Sequence, residues 1–188
     1  MKKYNDVKAE KPMSGRETLP AGGYVCSIMN AKVESNDWGE TLVIAHDVCE
    51  GEFEGIFKRD YENNPNEDKK WRGTFRLRLP KDDGSEYDVF KKKSLGNFIW
   101  AIEQSNPGYA WAWDEKTLKG KKIGLIYRNK EWEYNGRSGW TTEAAGTESI
   151  DNIRDGKFRA LKDKPLANKP SAPVFTEDES DLGGELPF

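Results

Sequence analysis

The chain of 188 residues has little of what metalloenzymes and secreted scaffolds depend on. It contains one histidine and two cysteines, too few for a three-histidine or His/Cys metal site or for a disulfide-stapled secreted domain. Cys26 and Cys49 lie in apolar runs and are expected to be free thiols. No run approaches the ~20 apolar residues of a membrane span, and the N-terminus leads into no apolar stretch, so we expect no signal peptide. These absences predict a cytoplasmic protein without catalytic residues, metal or cofactor.

The composition favours a folded domain with a charged appendage. Aromatic residues make up 12% of the chain and charged residues 34%, and so many rings are not typical of a disordered chain. The net charge is -3, but the last twelve residues carry five acids and no base. Without those acids, 30 basic residues face 28 acidic ones, a net charge of +2. The acidity therefore belongs to the tail.

Hydrophobic periodicity predicts a mainly β body with one helix. Apolar residues at 95, 98, 99 and 102 predict an amphipathic helix that begins after Ser94, and Asn135-Gly136 predicts a two-residue hairpin turn. The expected strands are 24–33, 41–48 (with a bulge before Ile56-Phe57), 71–79, 121–128, the hairpin arms 131–134 and 138–142, and a short strand 149–153. One helix between the third and fourth strands predicts a five-stranded Greek-key OB-fold barrel, with a two-sheet sandwich as the alternative.

Three regions are expected along the chain. Residues 1–18 are predicted to be a flexible arm, residues 19–160 the OB-fold body, and residues 161–188 a disordered linker and acidic tail. The tail ends in Leu-Pro-Phe, so Phe188 offers a ring and a free carboxylate together, which suits an apolar pocket with a basic rim. The residues expected to bind a partner are Asp181, Glu185, Leu186, Pro187 and Phe188.

The third strand alternates basic and apolar side chains. Arg72, Arg76 and Arg78 share one face, and Trp71 and Phe75 lie on the other. This pattern fits a packed face with solvated arginines. It also fits arginines that follow a phosphate backbone beside stacking rings. We predict the second, with Trp71 and Phe75 as the weaker candidates because their face is expected to be interior.

The hairpin around Asn135-Gly136 carries more rings than it can bury. Trp132, Tyr134 and Trp140 are predicted to stack on bases, and Arg137 to add charge or a cation–π contact. The run Lys91–Lys93 before the helix is interpreted as solvated. Rows of Trp and Tyr also occur in carbohydrate-binding sandwiches, which remain the alternative.

Two parts of the chain resemble known proteins. The C-terminus resembles the acidic tip of bacterial single-stranded DNA-binding proteins, on Asp178, Glu179, Asp181, Glu185, Leu186, Pro187 and Phe188, although Gly183-Gly184 interrupts the match. The body resembles a phage or prophage single-stranded DNA-binding protein family of low-GC Gram-positive bacteria. The resembling stretches are Leu19–Tyr24, His46–Gly55, Trp71–Gly73, Glu103–Gly108 and Leu118–Gly124.

The resemblance implies an OB-fold protein of phage DNA replication, recombination or repair. We expect a sequence-independent single-stranded DNA-binding protein in the bacterial host cytoplasm, without a membrane partner, whose tail recruits replication or recombination proteins. A homo-oligomer is compatible with the sequence. A carbohydrate-binding module is the alternative from another class, and a structural adaptor whose rings are all core is a third.

Overall fold

The computed structural model describes residues 17–37 and 39–167. Most of the arm and tail expected from the sequence, including every residue predicted to bind a partner, lies outside this range. Within it the chain is mainly β, with one five-stranded antiparallel sheet of order β3-β2-β1-β4-β5. The strands are β1 (Gly22–Asn36), β2 (Gly39–Val48), β3 (Thr74–Arg78), β4 (Lys122–Tyr134) and β5 (Arg137–Glu148).

Three α-helices and a short 3-10 helix accompany the described strands. They are α1 (Ile56–Glu62), α2 (Glu86–Ser105), the 3-10 helix Glu115–Leu118, and α3 (Ile150–Arg154). The long helix α2 lies between β3 and β4 in the chain, and none of the described helices is long and apolar enough to span a membrane. Leu95, Phe98, Ala101 and Ile102 of α2 are buried in the main core. Their spacing puts one apolar face against the sheet.

Strand β1 joins the two halves of the sheet. Its first half, Gly22–Ser27, pairs with β4, and Cys26–Asn36 pairs with β2. The register with β2 shifts between Ile28 and Asn30, so Met29 is an extra residue that bends the strand. One strand therefore pairs with both halves of the sheet.

The helix boundaries differ from the sequence prediction because the true caps lie elsewhere. Helix α2 begins nine residues before the predicted start, where the Ser85 hydroxyl accepts a hydrogen bond from the Asp88 N–H (3.2 Å). The predicted strand 149–153 is wrong: Ser149 caps α3 by accepting from the Asn152 N–H (3.3 Å). Ile56-Phe57 also begins a helix, not a strand, since the Asp47 carboxylate accepts from the N–H groups at the start of α1 (3.0 and 3.1 Å).

Part of the predicted linker is packed against the sheet. The Lys164 N–H donates to the Asn129 carbonyl (2.8 Å), and the Lys164 carbonyl accepts from the Glu131 N–H (2.9 Å). The Leu166 N–H donates to the Glu131 carboxylate (3.1 Å). The prediction that residues 161–188 are disordered is therefore wrong for Lys164 and Leu166, and Lys164 adds a short parallel bridge along β4.

Candidate nucleic-acid interface

A cleft of about 1060 Å³ lies where the two edge strands face each other. Strands β3 and β5 are at opposite ends of the sheet order, yet their Cα atoms come within 8 Å of each other. All of β3 and residues 143–148 of β5 line the cleft, together with the N-terminal half of α2 and part of the segment after α3. The cleft is open to solvent, and Ile126, Arg128 and Lys130 of β4 also line it, so five parts of the fold contribute to it.

The cleft is strongly basic. Two of its lining residues are acidic, Glu143 and Glu148, whereas eight are basic. The basic residues are Arg76, Arg78, Lys91, Lys93, Arg128, Lys130, Arg159 and Lys164. This excess of positive charge in a recessed surface concentrates the field and favours a polyanion.

Glu143 is surrounded by three cations and offsets only one of them. Its carboxylate lies 2.8 Å from Arg128, 3.0 Å from Lys130 and 3.8 Å from Lys164. Partial burial raises the pKa of Glu143, but the hydrogen bonds from Arg128 and Lys130 and the two lysine charges outweigh it and lower the pKa below its usual value. The carboxylate is thus ionised at neutral pH, and the cluster keeps a net positive charge.

Four of the basic side chains have no carboxylate partner among the described residues: Arg78, Lys91, Lys93 and Arg159. Because no described carboxylate lies within ion-pair distance of these side chains, their charge is available to a ligand. Arg76 is bound instead to Glu34 (2.9 Å).

The arginines predicted to contact phosphates are not all in one place. Arg76 and Arg78 line the cleft. Arg72 is not among its lining residues: it lies 3.5 Å from Asp60 at a separate cavity of about 130 Å³. Two of the three predicted side chains are therefore brought together.

The two rings predicted on the opposite face of β3 serve the fold. Phe75 is 4% exposed and belongs to the main core. The Trp71 indole N–H donates to the carbonyls of His46 (3.0 Å) and Gly73 (3.1 Å). A Cβ at Gly73 would lie 2.2 Å from the His46 carbonyl oxygen, so only glycine permits this close approach of chain segments. Phe75 is thus a core residue, and Trp71 is half-buried with its indole N–H bonded to the backbone.

The hairpin rings lie on two different faces of the sheet. Trp132 pairs with Gly139, and Tyr134 pairs with Arg137, so these side chains share the face that carries Arg128 and Lys130. The Trp132 ring lies over Gly139, where an added Cβ would meet it at 3.2 Å. Trp140 pairs with Glu131 and is on the opposite face. The predicted four-residue cluster is therefore divided: Trp132, Tyr134 and Arg137 share the face that carries Arg128 and Lys130, and Trp140 does not.

Several cleft residues were not predicted from the sequence. The N-terminal half of α2 brings Tyr87, Phe90, Lys91 and Lys93 into the cleft, whereas from the sequence the run Lys91–Lys93 is interpreted as solvated. Ser85 is the sequence signal that could have located these residues, because a helix capped at Ser85 includes them. The contribution of Arg159 and Lys164 follows from packing of the C-terminal segment on β4, for which the sequence has no local signal.

The described residues contain no group of three or more His, Cys, Asp or Glu side chains arranged to hold a metal ion. His46 is fully buried, and its Nε2 atom lies 2.6 Å from the Tyr127 hydroxyl. Burial lowers the pKa of His46 to about 4, against a smaller opposing effect from the backbone of Ile44. His46 is a neutral residue of the core.

Comparison with known proteins finds similarity to staphylococcal proteins. No family model matches the chain. Over 96 residues, half of this chain, it is 33% identical to serine-aspartate repeat-containing protein C of Staphylococcus aureus strain MRSA252 and 32% identical to the protein of that name in strain Newman. The match spans 10% of the length of those proteins. Their name describes a repeat, and this chain contains one Ser-Asp pair, Ser180-Asp181.

Proposed function

We propose that this chain binds single-stranded DNA without sequence preference, as a member of a phage or prophage single-stranded DNA-binding protein family. The observation that carries the proposal is the basic cleft between β3 and β5. A nucleic-acid strand needs cations spaced along a groove to neutralise its phosphates and exposed rings for its bases. The cleft supplies the cations, and the adjoining face of the β4–β5 hairpin supplies Trp132 and Tyr134 beside Arg137.

We also propose that the five-stranded sheet forms an OB-fold barrel. The strand order and the bent β1 shared by both halves of the sheet support it. So do the helix between β3 and β4 and the approach of β3 to β5. A five-stranded Greek-key barrel that is partly open at this seam accommodates a strand along the opening.

The binding mechanism needs only the side chains of the cleft. Arginine and lysine side chains replace the counterions condensed on the phosphates, and the released ions favour binding by their entropy. Rings beside the cleft stack on unpaired bases, which every base permits because each has a π-face. Backbone neutralisation and stacking involve no cofactor, and neither depends on base identity.

The tail completes the proposed function. We propose that the acidic residues and the terminal Leu186-Pro187-Phe188 dock on replication or recombination proteins in the bacterial cytoplasm, while the body holds DNA. This segment lies outside the described residues, and its support is the resemblance of its sequence to the acidic tip of bacterial single-stranded DNA-binding proteins.

The full-length chain is expected to bind oligo-dT with an affinity that falls steeply as salt increases. If the four unpaired cations each contact one phosphate, the slope of log affinity against log salt concentration is about -3, at roughly -0.7 per contact. Titration of tryptophan fluorescence across a salt series measures the slope directly. A duplex of the same length and a soluble polysaccharide are the comparison ligands. A flat salt response or equal affinity for the duplex would refute the proposal, and polysaccharide binding would favour a carbohydrate-binding module.

The division of the hairpin rings predicts a difference between two tryptophans. Trp132→Ala is expected to weaken oligo-dT binding by about 1–3 kcal/mol, because it removes a ring on the sheet face that carries Arg128 and Lys130. Trp140→Ala is expected to change it by less than about 0.5 kcal/mol, since Trp140 faces the other way. Titration of both variants, with thermal melting as the check on folding, tests this. Equal losses of affinity would mean that the oligo-dT strand wraps around the hairpin tip and contacts rings on both faces of the sheet.

A further inference from the structure

The first turns of α2 present two rings to the cleft. Tyr87 is 54% exposed and Phe90 is 65% exposed, and both line the cleft. They are three residues apart, which places them on the same side of the helix. The core-packing residues of α2 begin at Leu95 and continue through Ile102. The rings therefore have no part in the main core.

A single exposed phenylalanine is ordinary on a protein surface, and a second observation is needed to indicate a ligand. Lys91, which follows Phe90, is 7% exposed and lines the cleft. Its ammonium group lies 4.8 Å from the centroid of the Tyr87 ring. None of the ion pairs among the described residues includes Lys91, although its charge adds to the larger effect of the Ser85 hydrogen bonds in lowering the pKa of Asp83. A largely buried cation is costly unless an anion accompanies it. An anion bound in the cleft would supply that partner.

The Tyr87 ring is fixed from the other wall of the cleft. The Arg78 guanidinium on β3 donates a hydrogen bond to the Tyr87 hydroxyl (3.0 Å). This contact uses one of the five N–H donors of the guanidinium, and the others remain available to phosphate oxygens. Rings and cations thus alternate at one place: Phe90, Lys91, Tyr87 and Arg78.

We propose that the N-terminal half of α2 is a base-stacking platform, on which Phe90 and Tyr87 stack on nucleobases while Lys91 and Arg78 hold the adjacent phosphates. This inference rests on the proposed function and assigns the bases to a helix on the cleft wall, in addition to the hairpin. Nucleic acid is favoured over a peptide because the cations lack carboxylate partners and alternate with rings, which matches the alternation of base and phosphate along a strand.

The test compares two neighbouring exposed residues of α2. Phe90→Ala is expected to weaken oligo-dT binding by roughly 5- to 150-fold, the usual effect of losing one stacked ring. Val89→Ala is the matched control: Val89 is 64% exposed on the same helix but does not line the cleft. It is expected to leave affinity unchanged. Circular dichroism and melting temperature verify that both variants fold.

Two further substitutions separate stacking from simple apolar contact. Phe90→Trp is expected to retain affinity and to add fluorescence that oligo-dT quenches, whereas Phe90→Leu, apolar but without a π-face, is expected to bind as weakly as Phe90→Ala. Lys91→Met is expected to make the salt slope shallower by about 0.7, the loss of one single-strand contact.

Each outcome bears on a different statement. If the unmodified chain binds oligo-dT and Phe90→Ala binds equally well, the platform is refuted and the proposed function stands. If Phe90→Leu binds as the unmodified chain does, the contact is apolar only and the stacking inference is likewise refuted. If the unmodified chain does not bind oligo-dT, the proposed function itself fails.

Discussion

Acidification from pH 7.5 to 4.5 is expected to lower the free energy of unfolding by about 2.5 kcal/mol through His46 alone. His46 is fully buried beside Tyr127 and Phe57. Burial depresses its pKa in the folded state to about 4 from an ordinary value of 6.5. Between these values the unfolded chain binds the proton and the folded chain does not. Stability therefore falls as the pH decreases through 6.5 toward 4, and it is fully present above pH 6.5.

The acidic side chains act in a lower pH range. The hydrogen bond from Arg154 is the largest of the effects that lower the pKa of Glu50 to about 2, and the pKa values of Glu34 and Asp83 are also lowered. Groups of this kind lose their contribution as the pH falls toward and below the ordinary pKa of a carboxyl group, and an unfolded glutamate is already half protonated at about pH 4.5. The part of the profile between pH 7.5 and 5.5 therefore reports His46 with little contribution from the carboxylates.

Two measurements check this prediction. Urea unfolding at pH 7.5, 6.5, 5.5 and 4.5 gives the stability profile, and His46→Gln, whose amide does not titrate but can still bond to the Tyr127 hydroxyl, is expected to flatten it. Because the chain has one histidine, the ring resonance in a proton NMR titration belongs to His46 without further assignment. Titration near pH 6.5 in the folded protein would show that the imidazole is hydrated and that the prediction is wrong.

The sequence predicts the strands well where their signal is local. Alternation locates β1, β2 and β3, and Asn135-Gly136 occupies the hairpin turn with φ values of 49° and 72°, as a turn with two left-handed residues requires. Helix α1 could not be found in this way, because its cap is the Asp47 carboxylate about ten residues earlier in the chain. The start of α2 had a local signal at Ser85, which the stronger apolar stripe after Ser94 obscured.

The candidate interface also depends on contacts that have no local signal in the sequence. A two-residue turn pairs position 134 with 137, so the separation of Trp140 from Trp132 follows from the sequence once the turn is accepted. The cleft itself does not, because it forms where β3 and β5 meet across the whole domain. Arg128 and Lys130 of β4 and Lys164 of the C-terminal segment converge on Glu143 of β5. The turn register already pairs Arg128 with Glu143, but only the tertiary structure adds Lys164.

Reversing two charges on different walls of the cleft is expected to cause a large loss of DNA affinity. Lys93 is on α2 and Arg159 is on the segment after α3, and both are exposed cleft residues. At 0.1 M salt each single-strand phosphate contact is worth roughly a factor of five in affinity, so losing two costs about 25-fold. The double variant Lys93→Glu/Arg159→Glu replaces attraction with repulsion and is expected to exceed this, with a salt slope shallower by at least about 1.4.

A matched control separates the cleft from the overall charge of the protein. Lys116 and Lys119 are exposed, at the 3-10 helix, and neither lines the cleft. Lys116→Glu/Lys119→Glu changes the net charge from -3 to -7, as the cleft variant does, and is expected to alter oligo-dT affinity less than about threefold, because exposed charges beyond a Debye length are largely screened. All four side chains are exposed, so both variants should melt near the unmodified chain. Equal losses of affinity in the two variants would mean that DNA responds to the net charge alone and does not bind in the cleft. A loss confined to Lys93→Glu/Arg159→Glu would place the phosphates between β3 and β5.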